Sequence, residues 1–90
     1  MLKIINDLVL FFKDHSRKIN VREYARLMGI SPPTASKLLE EYRKEGLLVK
    51  EEFRNFIFYS AKVSSLDFND LEKIYLREKN NLSKKTRNKK

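Results

Sequence analysis

Few residues of this chain could do covalent or metal chemistry. It has no cysteine, so neither a disulfide framework nor a thiolate zinc site is open to it. His15 stands alone, without a second histidine to complete a metal set or a nucleophile–base pair. Gly29 and Gly46 are the only glycines, too few for a glycine-rich phosphate loop. Glu40 and Glu41 are helical neighbours whose side chains diverge, while Asp67 and Asp70 sit at a helix start, where capping and the helix dipole already account for them. No catalytic residue, cofactor or metal is therefore expected, and an enzyme is the least supported class. His15, in a polar stretch, reads as solvent-exposed. What the chain has in abundance is positive charge: 20 Lys and Arg against 12 Asp and Glu give a net charge of +8, which suits a polyanionic partner.

Where that charge sits matters more than its sum. Residues 79–90 hold Lys79, Lys84, Lys85, Arg87, Lys89 and Lys90 and no acid, so of the +8 only +2 is left for residues 1–78. Leu82 is the one apolar residue of that segment, which cannot bury enough surface to offset its chain entropy. A basic, flexible C-terminal tail is expected over 79–90, either a solubilising terminus or a phosphate-gripping arm. Residues 1–78 make one domain, small enough that a partner subunit would help its stability. Its first stretch, LKIINDLVLFF, is apolar but carries Lys3 and Asp7, falls far short of the ~20 residues that cross a bilayer, and has no small-residue cleavage site after it. It reads as a core helix, and a cytoplasmic chain with no membrane partner is expected.

The elements that must hold these charges follow from apolar period and punctuation. Leu2, Ile5, Leu8, Val9 and Phe12 recur at helical spacing, and Ile4 and Phe11 widen the stripe beyond one packing face. After the polar KDHSRK, Asn20 and Glu23 form a variant capping box that starts a short second helix over 21–28, ended by Gly29 and pinned by Ile30. Ser31 is a good N-cap, and Pro32 and Pro33 fall on the first helical positions, where a missing N–H loses nothing. Ala35, Leu38, Leu39 and Tyr42 make that third helix's inward stripe until Gly46 closes it. The period then changes to two: LLVKEEF and FIFYSA, separated by Arg54–Asn55, spell a β-hairpin whose second strand is apolar on both faces. Ser65 and Asp67 cap a last helix bearing Phe68, Leu71, Ile74 and Tyr75 on one side.

In this order the chain resembles the winged helix-turn-helix proteins, in particular MarR- and ArsR-like bacterial and archaeal regulators, over residues 1 to about 62. The small Ala25 where two helices cross, Gly29 four residues later, and the apolar set Tyr24, Met28, Ile30, Ala35 and Leu38 fall at the family's spacings. GISPPTASKLLEEYRKEGLLVK looks like its turn, recognition helix and first wing strand. A weaker resemblance, through YSAKV and the Phe68 helix, is to archaeal winged-helix segments in front of nucleotidyltransferase domains, whose catalytic residues this chain lacks. The fold implied is mainly α with a small β-hairpin wing, ordered α-α-α-β-β-α.

The function implied is sequence-specific binding of double-stranded DNA by a small transcriptional regulator. A helix over 32–45 would enter the major groove by its N-terminal end, with Ser31, Pro32, Pro33, Thr34, Ser36 and Lys37 nearest the bases or phosphates. Arg54 would reach a flanking groove from the wing tip, and Arg22 would join the phosphate contacts. Ser31 and Thr34 would donate to phosphate, Lys37 is the one strong donor, and the prolines offer apolar contact. Glu40, Glu41, Glu45, Glu51 and Glu52 would repel phosphate unless paired, Glu40 with Lys44 and Glu41 with Lys37. The surplus apolar sides of the first helix (Ile4, Phe11) and the last (Leu71, Ile74, Tyr75) are expected to form a two-fold homodimer interface. Two other readings stay open: a protein-binding adaptor using the apolar wing face, and an RNA or single-strand binder stacking bases on Phe53, Phe56 and Tyr59.

Overall fold

The computed structural model describes residues 2–88, with side chains described through residue 80. Its elements are α1 (Lys3–Lys13), α2 (Val21–Met28), α3 (Pro32–Lys44), β1 (Leu48–Phe53), β2 (Phe56–Ala61) and α4 (Leu66–Asn88), in the α-α-α-β-β-α order expected.

Local chemistry sets the boundaries. Asn20 accepts the Glu23 N–H at 2.8 Å and so starts α2, but the Glu23 carboxylate turns to Arg17 at 3.1 Å instead of closing the box. Gly29 sits at φ +69, and the next N–H, of Ile30, reaches back to the Ala25 carbonyl at 3.0 Å. The α3 end repeats this: Gly46 at φ +79 donates to Arg43 and Leu47 donates to Tyr42, the two bonds that satisfy carbonyls orphaned where a helix stops. Ser65 accepts the Phe68 N–H at 3.1 Å and caps α4.

β1 and β2 pair antiparallel with Phe53 opposite Phe56, and Arg54 (φ 49) with Asn55 (φ 70) make the two-residue turn. Two successive positive φ angles are what a tight hairpin needs to match strand twist. A third stretch joins this sheet unannounced by the sequence: Ile19 exchanges both backbone hydrogen bonds with Tyr59, at 2.9 and 2.8 Å. One bridging residue after a polar run leaves no period-two signal.

The core gathers Ile5, Leu8, Phe11 and Phe12 of α1, Tyr24 and Ala25 of α2, Ala35, Leu39 and Tyr42 of α3, the hairpin residues Leu48, Tyr59 and Ala61, and Phe68 and Tyr75 of α4. Phe12 packs on Phe68 and Tyr75 with ring centroids 5.1 and 5.3 Å away, which clamps α4 across α1. Asp7 is buried on the inner side of α1. Its Oδ2 accepts from Tyr42 Oη at 2.6 Å and from Lys3 Nζ at 2.8 Å, while its carbonyl accepts from Tyr24 Oη at 2.6 Å. One acid thus ties α1 to α2 and α3.

One expectation needs correction. Phe11 and Tyr75, assigned to an intersubunit surface, lie inside their own chain, because the α1 stripe is wide enough to meet α2 on one side and α4 on the other. His15 is exposed, as its polar stretch implied, and its Nε2 lies 2.6 Å from Glu72 Oε2 with its ring edge-on to Phe68. The helical backbone of α4 runs past residue 78 to Asn88. From residue 81 on, the tail expected over 79–90 falls on side chains outside the described residues.

Candidate nucleic-acid interface

The α2–Gly29–α3 unit presents the first turn of α3 to solvent. Ser31, Pro32, Pro33, Thr34 and Lys37 are exposed and Ser36 is half-buried, while Ala35 and Leu39 hold the opposite face in the core. Ser31 is committed to the cap: its Oγ accepts the Thr34 N–H at 3.3 Å and donates to Thr34 Oγ1 at 2.9 Å. The proton left to give outward is that of the Thr34 hydroxyl. The helix dipole adds a partial positive charge at this start, where Pro32 and Pro33 carry no N–H and Thr34 gives its own to Ser31.

Cations divide into engaged and unengaged. Arg43 is held by Glu40 through three contacts of 2.9–3.2 Å, and Arg17 by Glu23. Among the described residues, Arg22, Lys37 and Arg54 form no ion pair, and all three are exposed. Arg54 lies over the Phe53 ring, 5.2 Å from its centroid, at the tip of the wing.

The acids on α3 and the wing have other duties than the sequence suggested. Glu40 pairs with Arg43 and with Lys50 of β1 at 3.2 Å, not with Lys44, and accepts from Tyr59 Oη at 2.6 Å. Arg43 first, then Tyr59 and Lys50, pull its carboxyl down to about 2. Glu40 is therefore a strut between α3 and the wing. Helical spacing suggested Lys44, but its partners in the hairpin lie 10 and 19 residues further on, and nothing in local pattern points to them. Glu51 pairs with Lys18 at 3.2 Å. Tyr59, one of three candidate stacking aromatics, is 2% exposed and bonded to Glu40, so it offers no ring face; Phe53 and Phe56 are 63% and 61% exposed.

Among the described residues there is no cluster of three or more His, Cys, Asp or Glu placed to hold a metal ion, and no helix long and apolar enough to cross a membrane.

Helix-turn-helix and hairpin together define a winged helix. The fold matches that of a MarR-family transcriptional regulator from Rhodococcus sp. RHA1, with a TM-score of 0.61 over 81% of this chain at 19% identity. It also matches a mutant of S. aureus MepR, with a TM-score of 0.64 over 90% of this chain at 13% identity. The chain spans 51% of the first of these structures and 62% of the second. No protein-family model and no curated protein matches the sequence.

Proposed function

We propose that this chain binds double-stranded DNA sequence-specifically, as a winged helix-turn-helix regulator of transcription working as a homodimer. The observation that carries the reading is the two-sidedness of α3. Its buried face builds the core, Glu40 is spent on the wing, and its first turn offers Thr34, Lys37 and a smooth proline pair to solvent. The major groove admits such a helix end and displays a distinct pattern for each base pair. Arg22 and Arg54 flank it as phosphate contacts, and the net charge of +8 favours the encounter. With Phe11 and Tyr75 used internally, the two-fold contact rests on the half-buried Ile4, Leu71 and Ile74 and the exposed Leu2, Leu66 and Leu76.

The test is a fluorescence-anisotropy titration of a duplex selected by the protein from a random pool, beside an unselected one. Lys37→Ala weakens the selected duplex by about 1–3 kcal/mol if Lys37 contacts a base, and weakens both duplexes slightly and equally if it contacts phosphate. A folded Lys37→Ala/Arg54→Ala variant that binds both duplexes like the parent refutes the assignment of α3.

A further inference from the structure

The pairing register sorts the wing into two unlike faces. Leu48, Lys50, Tyr59 and Ala61 lie toward α3 and the core, where Leu48, Tyr59 and Ala61 are buried. Phe53, Phe56 and Phe58 share the other face with Val49, and the two rings flanking the turn are more than 60% exposed. Phe56 and Phe58 sit 6.3 Å apart by centroid, so the aromatics form one continuous strip that ends at the tip. Water-exposed aromatic strips are sites of contact.

Charge on this face narrows the occupant. Its one acid, Glu51, is neutralised by Lys18, whereas Glu52 lies on the opposite face, across from Ile57. At the end of the strip the Arg54 guanidinium covers the Phe53 ring. An apolar wedge carrying a cation at its tip is the pairing that minor-groove proteins use: the cation meets phosphates and groove acceptors, and the apolar group slides between base pairs and opens the step. We infer that the wing enters the minor groove beside the α3 site and wedges Phe53 and Phe56 against a base step, unstacking and bending the duplex. This rests on the duplex-binding reading above and adds to it a readout of how readily a step deforms, independent of base edges.

The experiment uses the full chain on a relaxed closed-circular plasmid treated with topoisomerase I. A wedge that opens base steps unwinds the helix and leaves a shifted topoisomer ladder once protein is removed; gel retardation of the same plasmid reports binding. The parent is expected to retard the plasmid and shift the ladder. Phe53→Ala/Phe56→Ala, brought to equal occupancy, is expected to lose the shift, and Phe53→Leu/Phe56→Leu to keep it, because leucine is also an effective wedge. Both variants alter exposed side chains, and circular dichroism verifies their fold. Retardation with no shift by the parent, or a shift that survives both alanines, overturns the wedge and leaves duplex reading by α3 standing. No retardation at all brings down both. A single-stranded oligonucleotide completes the set: if the parent leaves the ladder unshifted while the leucine variant loses single-strand affinity, the strip stacks unpaired bases and the wedge is wrong, since only a π face serves that purpose.

Discussion

Tyr42→Phe removes a single oxygen from the interior, and the structure sets the size of the effect. The lost bond is the 2.6 Å donation from Tyr42 Oη to Asp7 Oδ2, a buried hydrogen bond to a charged acceptor, a class that contributes about 1.5–3 kcal/mol. The same oxygen keeps Lys3 Nζ at 2.8 Å, so the carboxylate is not orphaned, and a value of about 2 kcal/mol is expected. Tyr24→Phe is the matched control. It removes a donation of equal length, but to the neutral Asp7 carbonyl, and should cost about 1 kcal/mol. For a domain of this size each kcal/mol moves the midpoint by about 4–8 °C, so Tm should fall by about 10 °C in the first variant and about 5 °C in the second. Thermal and urea unfolding followed by circular dichroism measure both, with an unchanged urea slope showing that the native state is intact. In an Asp7→Asn background the Tyr42→Phe penalty should shrink, since the acceptor no longer carries charge. A Tyr42→Phe loss no larger than that of Tyr24→Phe, or one indifferent to Asp7→Asn, refutes the claim that a charged network joins α1 to α3.

Acid stability should report on Glu40: its carboxyl titrates near 2 in the folded chain against an ordinary 4.5, so its contribution is complete above pH 4.5 and is lost as pH falls toward 2, and Glu40→Gln should flatten that limb of an acid titration. Phe68→Ala leaves a cavity where α4 meets Phe12, and a loss of about 3–5 kcal/mol in urea unfolding is expected; under 1 kcal/mol would mean that α4 is not part of the cooperative unit. Removing residues 79–90 takes away six positive charges, and the slope of log K against log salt on duplex DNA should flatten by up to about 5 with little change in sequence preference; an unchanged slope assigns the phosphate contacts to Arg22, Lys37 and Arg54.

Most of the fold was legible because punctuation and period agreed. Asn20, Gly29, Ser31 with its two prolines, and Gly46 each act within four residues of themselves, and the structure uses every one as local chemistry dictates. The register of the hairpin followed from its two-residue turn. What escaped was set by partners distant in sequence. Asp7 reads as a polar interruption of an apolar stripe, yet it is buried because Tyr42, 35 residues on, completes its hydrogen bonding. His15 is exposed as read, but its contact with Glu72, 57 residues away, is invisible to local pattern. Phe11 and Tyr75 looked surplus because a helix touching neighbours on two sides needs a stripe wider than one face. In the candidate site, the exposure of Ser31, Thr34 and Lys37 followed from helical spacing, whereas the spending of the Ser31 proton on Thr34 and of Glu40 on the hairpin depends on geometry that spacing does not encode.

The Glu40 strut turns helix and hairpin into a calliper with a fixed opening. Tyr59 and Lys50 hold β2 and β1 to the same carboxylate that Arg43 braces from within α3, and Ile19 stitches β2 to the chain ahead of α2. The base of the wing is tied to the middle of α3, so a partner that touches both meets them at one relative placement. Little freedom remains to be frozen out on contact, which lowers the entropic penalty of association. A target whose contact points stand at another span would have to deform itself or break the Glu40 contacts to fit.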